Sequence, residues 1–192
     1  SGDDVKFQVK GPLSEEETKA AFAEHGIEYE DRKTRYAKRA GDIDTLAGTV
    51  FESAPARYYI AYAPDLDGKP VAVQGIAPYE DVYLLSGLVS YAKESGLPRE
   101  QTQGAGAFIS EKVIDMHSNR PIVGYAKETG LPTFTRQGFK EMQYEDGKVV
   151  GQEDIPDEIL RLFERMPGGP RTAIRKLFYR PAVKWFYYVR KE

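Results

Sequence analysis

The sequence predicts an α+β domain in which helices flank a sheet of mostly antiparallel strands. Three observations support this class: an alternating strand before a capped helix near the N-terminal end, a run of strands from Arg57, and a helical period from Gly104. The 192 residues are 41% hydrophobic and 30% charged, which suits one compact core. We therefore expect a single domain over residues 1–192.

One strand and one helix are predicted at the N-terminal end. Residues 5–9 alternate apolar and polar side chains as a half-buried strand does, and Gly11-Pro12 follows as a stop signal. Ser14 and Glu17 have the spacing of a capping box. A helix is therefore expected over residues 18–25, and the glycine that follows is expected to end it.

The chain then changes from charged residues to strand-forming ones. Residues 28–53 are highly charged, with one short amphipathic helix expected from the spacing of Ile43, Leu46, Ala47 and Val50. Three strands are expected over residues 58–63, 70–76 and 82–91. The Asp67-Gly68 turn joins the first two, because glycine supplies the positive φ that such hairpin turns require.

Helices and short strands are predicted to alternate in the second half of the chain. The helical period of residues 104–118 places five residues on one apolar face: Ala105, Phe108, Ile109, Val113 and Met116. The remaining expected elements are strands over residues 121–126, 139–144 and 183–189, a helix over 157–166, and a short basic helix before the last strand.

Two segments of the sequence are nearly repeated. Residues 88–104 match residues 122–138 at ten of seventeen positions, and both segments contain Tyr-Ala-Lys-Glu followed by Gly-Leu-Pro. Two copies are too few for a helical-repeat array, and Gly-Leu-Pro would break a helix. We therefore expect two similar strand-loop units whose strands run side by side.

The residues most suggestive of chemistry lie where a helix is predicted to begin, and we call them the Gly-rich turn: Gln101, Thr102, Gln103, Gly104, Ala105 and Gly106. The first turn of a helix has unpaired N–H groups and the positive end of the helix dipole, so it favours a phosphate. Glycines allow a diphosphate to approach the backbone. A dinucleotide-binding fold would place such a motif after its first strand, and no Gly-Lys-Ser/Thr follows as a Walker loop requires.

The spacing Gln101-x-x-Gly104-x-Gly106, with Gly138-Phe139 further on, resembles the signature of the GNAT acetyltransferases. The resemblance covers roughly residues 57–144. It implies a layered α/β/α arrangement around a mixed sheet with a splayed central pair of strands, and acetyl-CoA as cofactor, its pyrophosphate on the Gly-rich turn. It further implies that backbone groups near Val89 and Tyr91 hold the pantetheine arm, with one N–H facing the thioester oxygen, and that Arg99 meets a phosphate.

The sequence departs from the family where a catalytic acid is usual. The family often has a tyrosine four residues before the glycine-aromatic pair, and Phe134 occupies that position; the asparagine usual after the splayed strand is also absent. Thr135, Tyr125 or Tyr91 is the candidate acid, although the thiolate can also leave without one. Four nearby carboxylates are candidates for the base, with Glu94 preferred over Glu128, Glu80 and Asp81.

The link that follows Tyr91 is longer than the tight turn of the family. We call its extra residues, Ala92–Glu100, the lip, and expect them to border the substrate or the cofactor.

Composition and charge limit the other possibilities. There is no cysteine, and His25 and His117 are too far apart in sequence for a close-spaced ligand pair, so no metal is expected. No run of 18 apolar residues and no signal peptide is present, so we expect a cytoplasmic protein without a membrane partner. No oligomeric state is predicted.

The C-terminal segment, residues 157–192, is basic and aromatic. Residues 160–192 contain nine lysines or arginines and two glutamates. Such a segment suits nucleic acid, an acidic partner or cofactor phosphates, and it is equally typical of a solvated helix and an edge strand.

Together these features favour an N-acetyltransferase that moves acetyl from acetyl-CoA to a primary amine. Two alternatives stay open: a protein of the same fold that modifies or binds nucleic acid through its basic C-terminal segment, and a CoA-binding module without catalysis.

Overall fold

The structure, a computed structural model, describes residues 6–31, 55–64, 68–127, 131–145, 148–149, 151–165 and 183–190. The amphipathic helix predicted within residues 43–50 and the basic helix predicted before residue 183 lie outside these ranges.

Helices and strands follow one another in an α+β order. The strands are β1 (Gln8–Leu13), β2 (Arg57–Ala63), β3 (Lys69–Tyr79), β4 (Val82–Ser90), β5 (Ile122–Lys127), β6 (Lys140–Glu141), β7 (Tyr144–Glu145), β8 (Lys148–Val149) and β9 (Val183–Tyr188). The helices are α1 (Glu15–Ala23), α2 (Ala92–Ser95), α3 (Arg99–Thr102), α4 (Ala105–Met116), α5 (Leu131–Arg136) and α6 (Asp157–Arg165), with a 3₁₀ turn at Gln152–Asp154.

Seven strands are hydrogen-bonded in the order β1-β2-β3-β4-β5-β9-β6, and β7 pairs with β8 separately. The β1–β2, β2–β3, β5–β9 and β6–β9 ladders are antiparallel, whereas β4 and β5 are parallel. The predicted fold class, a mixed and mostly antiparallel sheet with flanking helices, is confirmed. The strands that contain the near-repeat, β4 and β5, are neighbours in the sheet, as expected, and among the described residues β4 pairs through residues 83–85, before the first copy begins.

The described residues fall into two compact units. The first contains residues 6–31, 56–64, 68–76 and 86–116, and the second contains residue 55, residues 77–85 and those described from 117 to 190. Strands β3 and β4 each have one part in either unit. A single domain over the whole chain stays a prediction.

Helix α1 packs against the rest of the first unit through an aromatic cluster. Phe22 of α1 is fully buried, with its ring 4.5 Å from that of Tyr91 and 5.4 Å from that of Tyr29. Tyr58 and Ile60 of β2 are buried in the same cluster. The predicted capping box is present, because the Ser14 hydroxyl accepts from the Glu17 N–H and the Glu17 carboxylate accepts from the Ser14 N–H.

Strand β1 differs from its prediction. The expected stop at Gly11-Pro12 is wrong, since the strand continues through both residues to Leu13. Proline is tolerated there because β1 lies at the end of the strand order and its ladder with β2 shifts between Lys10 and Leu13. Glycine is required there because a Cβ at residue 11 would lie 2.7 Å from the carbonyl oxygen of Tyr58.

Other boundaries differ more modestly. Helix α1 begins at Glu15, directly after its cap, whereas residues 18–25 were predicted. Met116 was placed on the buried face of α4 but is 51% exposed, because it is the last residue of the helix. The strand predicted over residues 139–144 is two short strands, β6 and β7, which belong to different sheets.

The ladder between β4 and β5 is short. It joins residues 83–85 to residues 122–124 among the described residues, while β5 pairs with β9 along its whole length. The Tyr83 N–H donates to the Pro121 carbonyl beside β5, but the Tyr91 N–H donates to the Val71 carbonyl of β3. In a regular strand, the N–H groups of residues an even number apart point to the same side of the strand. The N–H groups of Tyr83 and Tyr91 point to opposite neighbours, so the regular alternation is broken between these two residues.

The capping box makes the stability of α1 depend on pH. Hydrogen bonds from the Ser14 N–H, and then from its hydroxyl, hold the pKa of Glu17 below the usual glutamate range. A carboxylate with a depressed pKa stabilises the fold above its unfolded pKa, and the effect disappears as the pH falls through the folded pKa. We expect Glu17→Gln to lower the melting temperature at pH 7, with a difference from the wild type that shrinks below about pH 4.

Glu16→Gln is the matched control for that measurement. Glu16 lies in the same first turn of α1, so its replacement removes a charge near the helix dipole without removing a bond to Ser14. Equal pH profiles for Glu17→Gln and Glu16→Gln in thermal unfolding would contradict the assignment of the pH dependence to the capping box.

The other half of the capping box is tested by Ser14→Ala, which should lower the free energy of unfolding by about 1 kcal/mol.

Candidate cofactor site

The Gly-rich turn connects a single-turn helix to a long one. Helix α3 ends at Thr102, and α4 begins at Ala105. Gly104 has φ +85°, and its carbonyl accepts from the Phe108 N–H at 2.9 Å, which makes it the residue that caps α4. Helix geometry leaves the N–H groups of residues 105–107 without a partner inside α4. The predicted position of the turn at a helix start is therefore observed.

The two glycines of the turn have different surroundings. A Cβ built on Gly104 would meet no atom of the described residues within 4 Å, so the space beside Gly104 is open in this part of the structure. Among the described residues, a Cβ on Gly106 would touch only the end of the Leu88 side chain, at 3.9 Å. Gly104 is needed for its left-handed backbone, whereas neither the backbone nor the packing within the protein requires a glycine at position 106.

The remaining residues of the turn divide into buried and exposed ones. Thr102 is buried, and its hydroxyl donates to the Arg99 carbonyl at 3.3 Å. The Oε1 atom of Gln101 is buried and has no hydrogen-bond partner among the described residues. Gln103 is exposed, while its N–H donates to the Arg99 carbonyl at 2.8 Å. The side chain of Arg99 is exposed at the same end.

Tyr91 is part of the core of the first unit. Its ring is buried, its hydroxyl accepts from the Glu30 N–H at 3.4 Å, and its own N–H donates to the Val71 carbonyl at 2.8 Å. The N–H that the resemblance places near a thioester oxygen is therefore not that of Tyr91. Val89 is half-buried and packs against the same cluster.

Leu88 is a residue at the site that sequence reasoning missed. It is 41% exposed although it lies in a strand, and it is the side chain nearest to Gly106. The resemblance had pointed to backbone groups near its neighbour Val89, and no sequence signal distinguished the exposed side chain of Leu88 from those of the other strand residues.

The candidate catalytic residues lie in different units. Glu94 is exposed on α2 of the first unit, with the Gly-rich turn. Tyr125 lies opposite Trp185 in the β5–β9 ladder, and Thr135 is exposed on α5, both in the second unit.

Phe134 belongs to an aromatic stack in the second unit. Its ring lies 5.3 Å from that of Phe186, at an interplanar angle of 6°, and 5.0 Å from that of Phe139, edge to face. The position where the family often has a tyrosine is thus filled by a packing residue.

Two phenols have raised pKa values, and neither is in the Gly-rich turn. Burial raises the pKa of Tyr62, and the negative charge of Glu24 adds to the effect. Burial and then Asp154 do the same for Tyr187, whose hydroxyl donates to the Asp154 carbonyl at 3.5 Å. A phenol with a raised pKa stays protonated at neutral pH, so neither is suited to act as a base.

Two parts of the basic C-terminal segment, residues 157–165 and 183–190, lie within the described residues. Arg161 of α6 pairs with Asp81 at 3.3 Å on the surface. Within the described ranges, no three acidic or histidine side chains gather as metal ligands would. The helices of those ranges include none with the length and apolar character needed to cross a membrane.

Comparison with known proteins finds similarity at the level of structure. No protein-family model and no curated protein sequence matches the chain. One similar solved structure is a GNAT-family acetyltransferase from Staphylococcus aureus, with 10% identity, a TM-score of 0.46, and coverage of 94% of this chain and 97% of that one. Another is Rv2747 from Mycobacterium tuberculosis, solved with CoA, with 17% identity, a TM-score of 0.46, and 74% and 81% coverage.

A third is a chimera of a spermidine N-acetyltransferase from Vibrio cholerae and hSSAT, with 11% identity, a TM-score of 0.47, and 96% and 95% coverage. The family that the sequence resembles is thus also found among these structures. Because the TM-scores are below 0.5, we base the function on the geometry of this chain.

The two glycines of the turn should respond differently to alanine. Gly104→Ala should lower the free energy of unfolding by about 1 kcal/mol, because an L-residue is disfavoured at φ +85°. Gly106→Ala should leave stability unchanged or raise it by about 0.5 kcal/mol, because alanine is the better helix former and meets only an ordinary contact. Urea unfolding of both variants measures the difference, and a large loss for Gly106→Ala would contradict this account of the turn.

Proposed function

We propose that this chain is an N-acetyltransferase that transfers acetyl from acetyl-CoA to a primary amine. The observation that carries the proposal is Gly106, a glycine in the first turn of α4 that neither the backbone nor the packing of the described residues requires. Alanine at this position would favour the helix more than glycine does. The glycine is explained if a ligand approaches the backbone there. The N–H groups of that turn are the donors a diphosphate needs.

The surrounding residues fit such a cofactor. The open space beside Gly104 leaves room for the pyrophosphate, and the exposed side chain of Arg99 can meet a phosphate. Leu88, exposed against Gly106, offers an apolar contact to the pantetheine arm. When bound, acetyl-CoA would supply an activated acyl thioester.

Transfer to an amine also requires groups that move protons. We assign the base to Glu94, which is exposed and therefore able to take a proton from an ammonium group directly or through water. The proton returned to the leaving thiolate would come from Tyr125 or Thr135.

The packing of Phe134 favours a second candidate function. The Phe134 ring stacks on Phe186 and meets Phe139 edge to face. It carries no hydroxyl and therefore cannot protonate a leaving thiolate. A protein that binds CoA without turning it over would have this feature as well.

Binding is tested with two alanine variants and calorimetry. The wild type should bind CoA, and Gly106→Ala should fold normally but bind at least tenfold more weakly, because the added methyl occupies the approach to the N–H donors. Gly26→Ala is the control for a loss of stability without a loss of affinity: Gly26 follows α1 and, unlike Gly106, has positive φ, so this variant should be less stable but should bind CoA as the wild type does. Absence of CoA binding by the wild type would refute both candidate functions.

Turnover separates the two candidates. If Glu94 is the base, Glu94→Gln should lower kcat about 100-fold with an unchanged dissociation constant for CoA, whereas Glu111→Gln, an exposed carboxylate on α4, should have no effect. Tyr125→Phe and Thr135→Ala identify the acid in the same assay of thiol release with an amine panel. CoA binding without turnover of any amine would select the non-catalytic candidate.

A further inference from the structure

Two lysine side chains hold the lip. The ammonium group of Lys6 donates a hydrogen bond to the carbonyl oxygen of Glu100. The ammonium group of Lys69 donates to the carbonyl oxygen of Ser95 at 3.2 Å. Lys6 lies just before β1 and Lys69 is the first residue of β3, so two separate parts of the first unit hold the middle and the end of the lip.

The first half of the lip is also bonded to itself, around Ser95. Ser95 is buried, its hydroxyl donates to the Ala92 carbonyl at 2.6 Å, and the same oxygen accepts from the Leu97 N–H at 3.2 Å. The Ser95 N–H donates to the Tyr91 carbonyl at 2.9 Å. These bonds hold residues 91–97 together, and the two lysine side chains add bonds from the lip to other parts of the first unit.

The Lys6 tether also reaches α4. The ammonium group of Lys6 lies 5.5 Å from the centre of the Phe7 ring, and the Phe7 ring lies 5.5 Å from that of Phe108. Phe7 is buried, and Phe108 donates its N–H to Gly104. One chain of contacts thus links Lys6 to the residue that caps α4.

We propose that Lys6 and Lys69 are positioning residues for the acyl-CoA, which act by fixing the lip so that the Gly-rich turn is shaped before the ligand arrives. The proposal rests on the proposed function. Glu100 directly precedes Gln101, so the position of its carbonyl sets where the turn begins. A binding segment that is already ordered loses less entropy when the ligand binds.

Lysine suits this task because each tether ends on a backbone carbonyl. A charged donor makes a stronger hydrogen bond to a neutral acceptor than a neutral donor does. Methionine keeps much of the length and apolar character of the side chain while removing the donor, so Lys→Met isolates the hydrogen bond.

The experiment compares Lys6→Met and Lys69→Met with Lys19→Met, which removes an exposed lysine from α1. Calorimetry with CoA and with dephospho-CoA should show that each tether variant loses about 3- to 10-fold in affinity for both ligands. Acetyl transfer should show a raised KM for acetyl-CoA and an unchanged kcat. Hydrogen exchange without ligand should be faster over residues 92–106 and unchanged in β2, and Lys19→Met should match the wild type throughout.

Three results would overturn the proposal. Unchanged affinity in both tether variants would show that the lip does not shape the site. A loss for CoA alone would show a direct contact between the ammonium group and the 3′-phosphate. Unchanged exchange would show that the lysines do not hold the lip, and because this measurement uses no ligand it is informative even if the wild type binds no CoA, a result that would refute the proposed function instead.

Discussion

The left-handed backbone at Gly104 is the constraint on which the first unit depends. It lets the chain pass from α3 to α4 within two residues, and it starts α4 in a direction that buries Ile109 and Val113 completely. The same turn leaves the first N–H groups of α4 without intrahelical partners. The backbone conformation of Gly104 therefore has two consequences. It places α4 against the core, and it leaves a set of backbone donors at the start of α4.

Local signals in the sequence predicted most of the fold. The capping box of α1, the β2–β3 hairpin and the start of α4 each depend on residues close in sequence, and all three are present. The course of β1 through Gly11-Pro12 was not predictable locally, because proline is tolerated there only at the end of the strand order. Within the candidate site the Gly-rich turn was predicted, but Leu88 and the two lysine tethers depend on a strand irregularity and on contacts between distant residues.

The two copies of the near-repeat have similar sequences but different structures, and pairing with distant strands decides between these structures. Tyr91-Ala92-Lys93 leaves the sheet and enters α2, whereas Tyr125-Ala126-Lys127 remains in β5. The difference follows from β9, which pairs with β5 as far as Lys127. The two copies agree again at their ends, where Gly104 and Gly138 have φ values of +85° and +93°. The two copies thus have the same backbone conformation at these glycines, whereas their Tyr-Ala-Lys segments differ in secondary structure.

The course of β1 also affects how the molecule meets others of its kind. The end of a sheet offers a row of unpaired peptide groups on which another chain can add a strand. Pro12 removes one donor from that row, and the ladder irregularity between Lys10 and Leu13 interrupts the spacing of the rest. Residues 8–12 are exposed, so this interruption lies where a neighbouring chain would have to dock. The Gly-Pro pair therefore makes this end of the sheet a poorer template for an added strand than a regular strand would be.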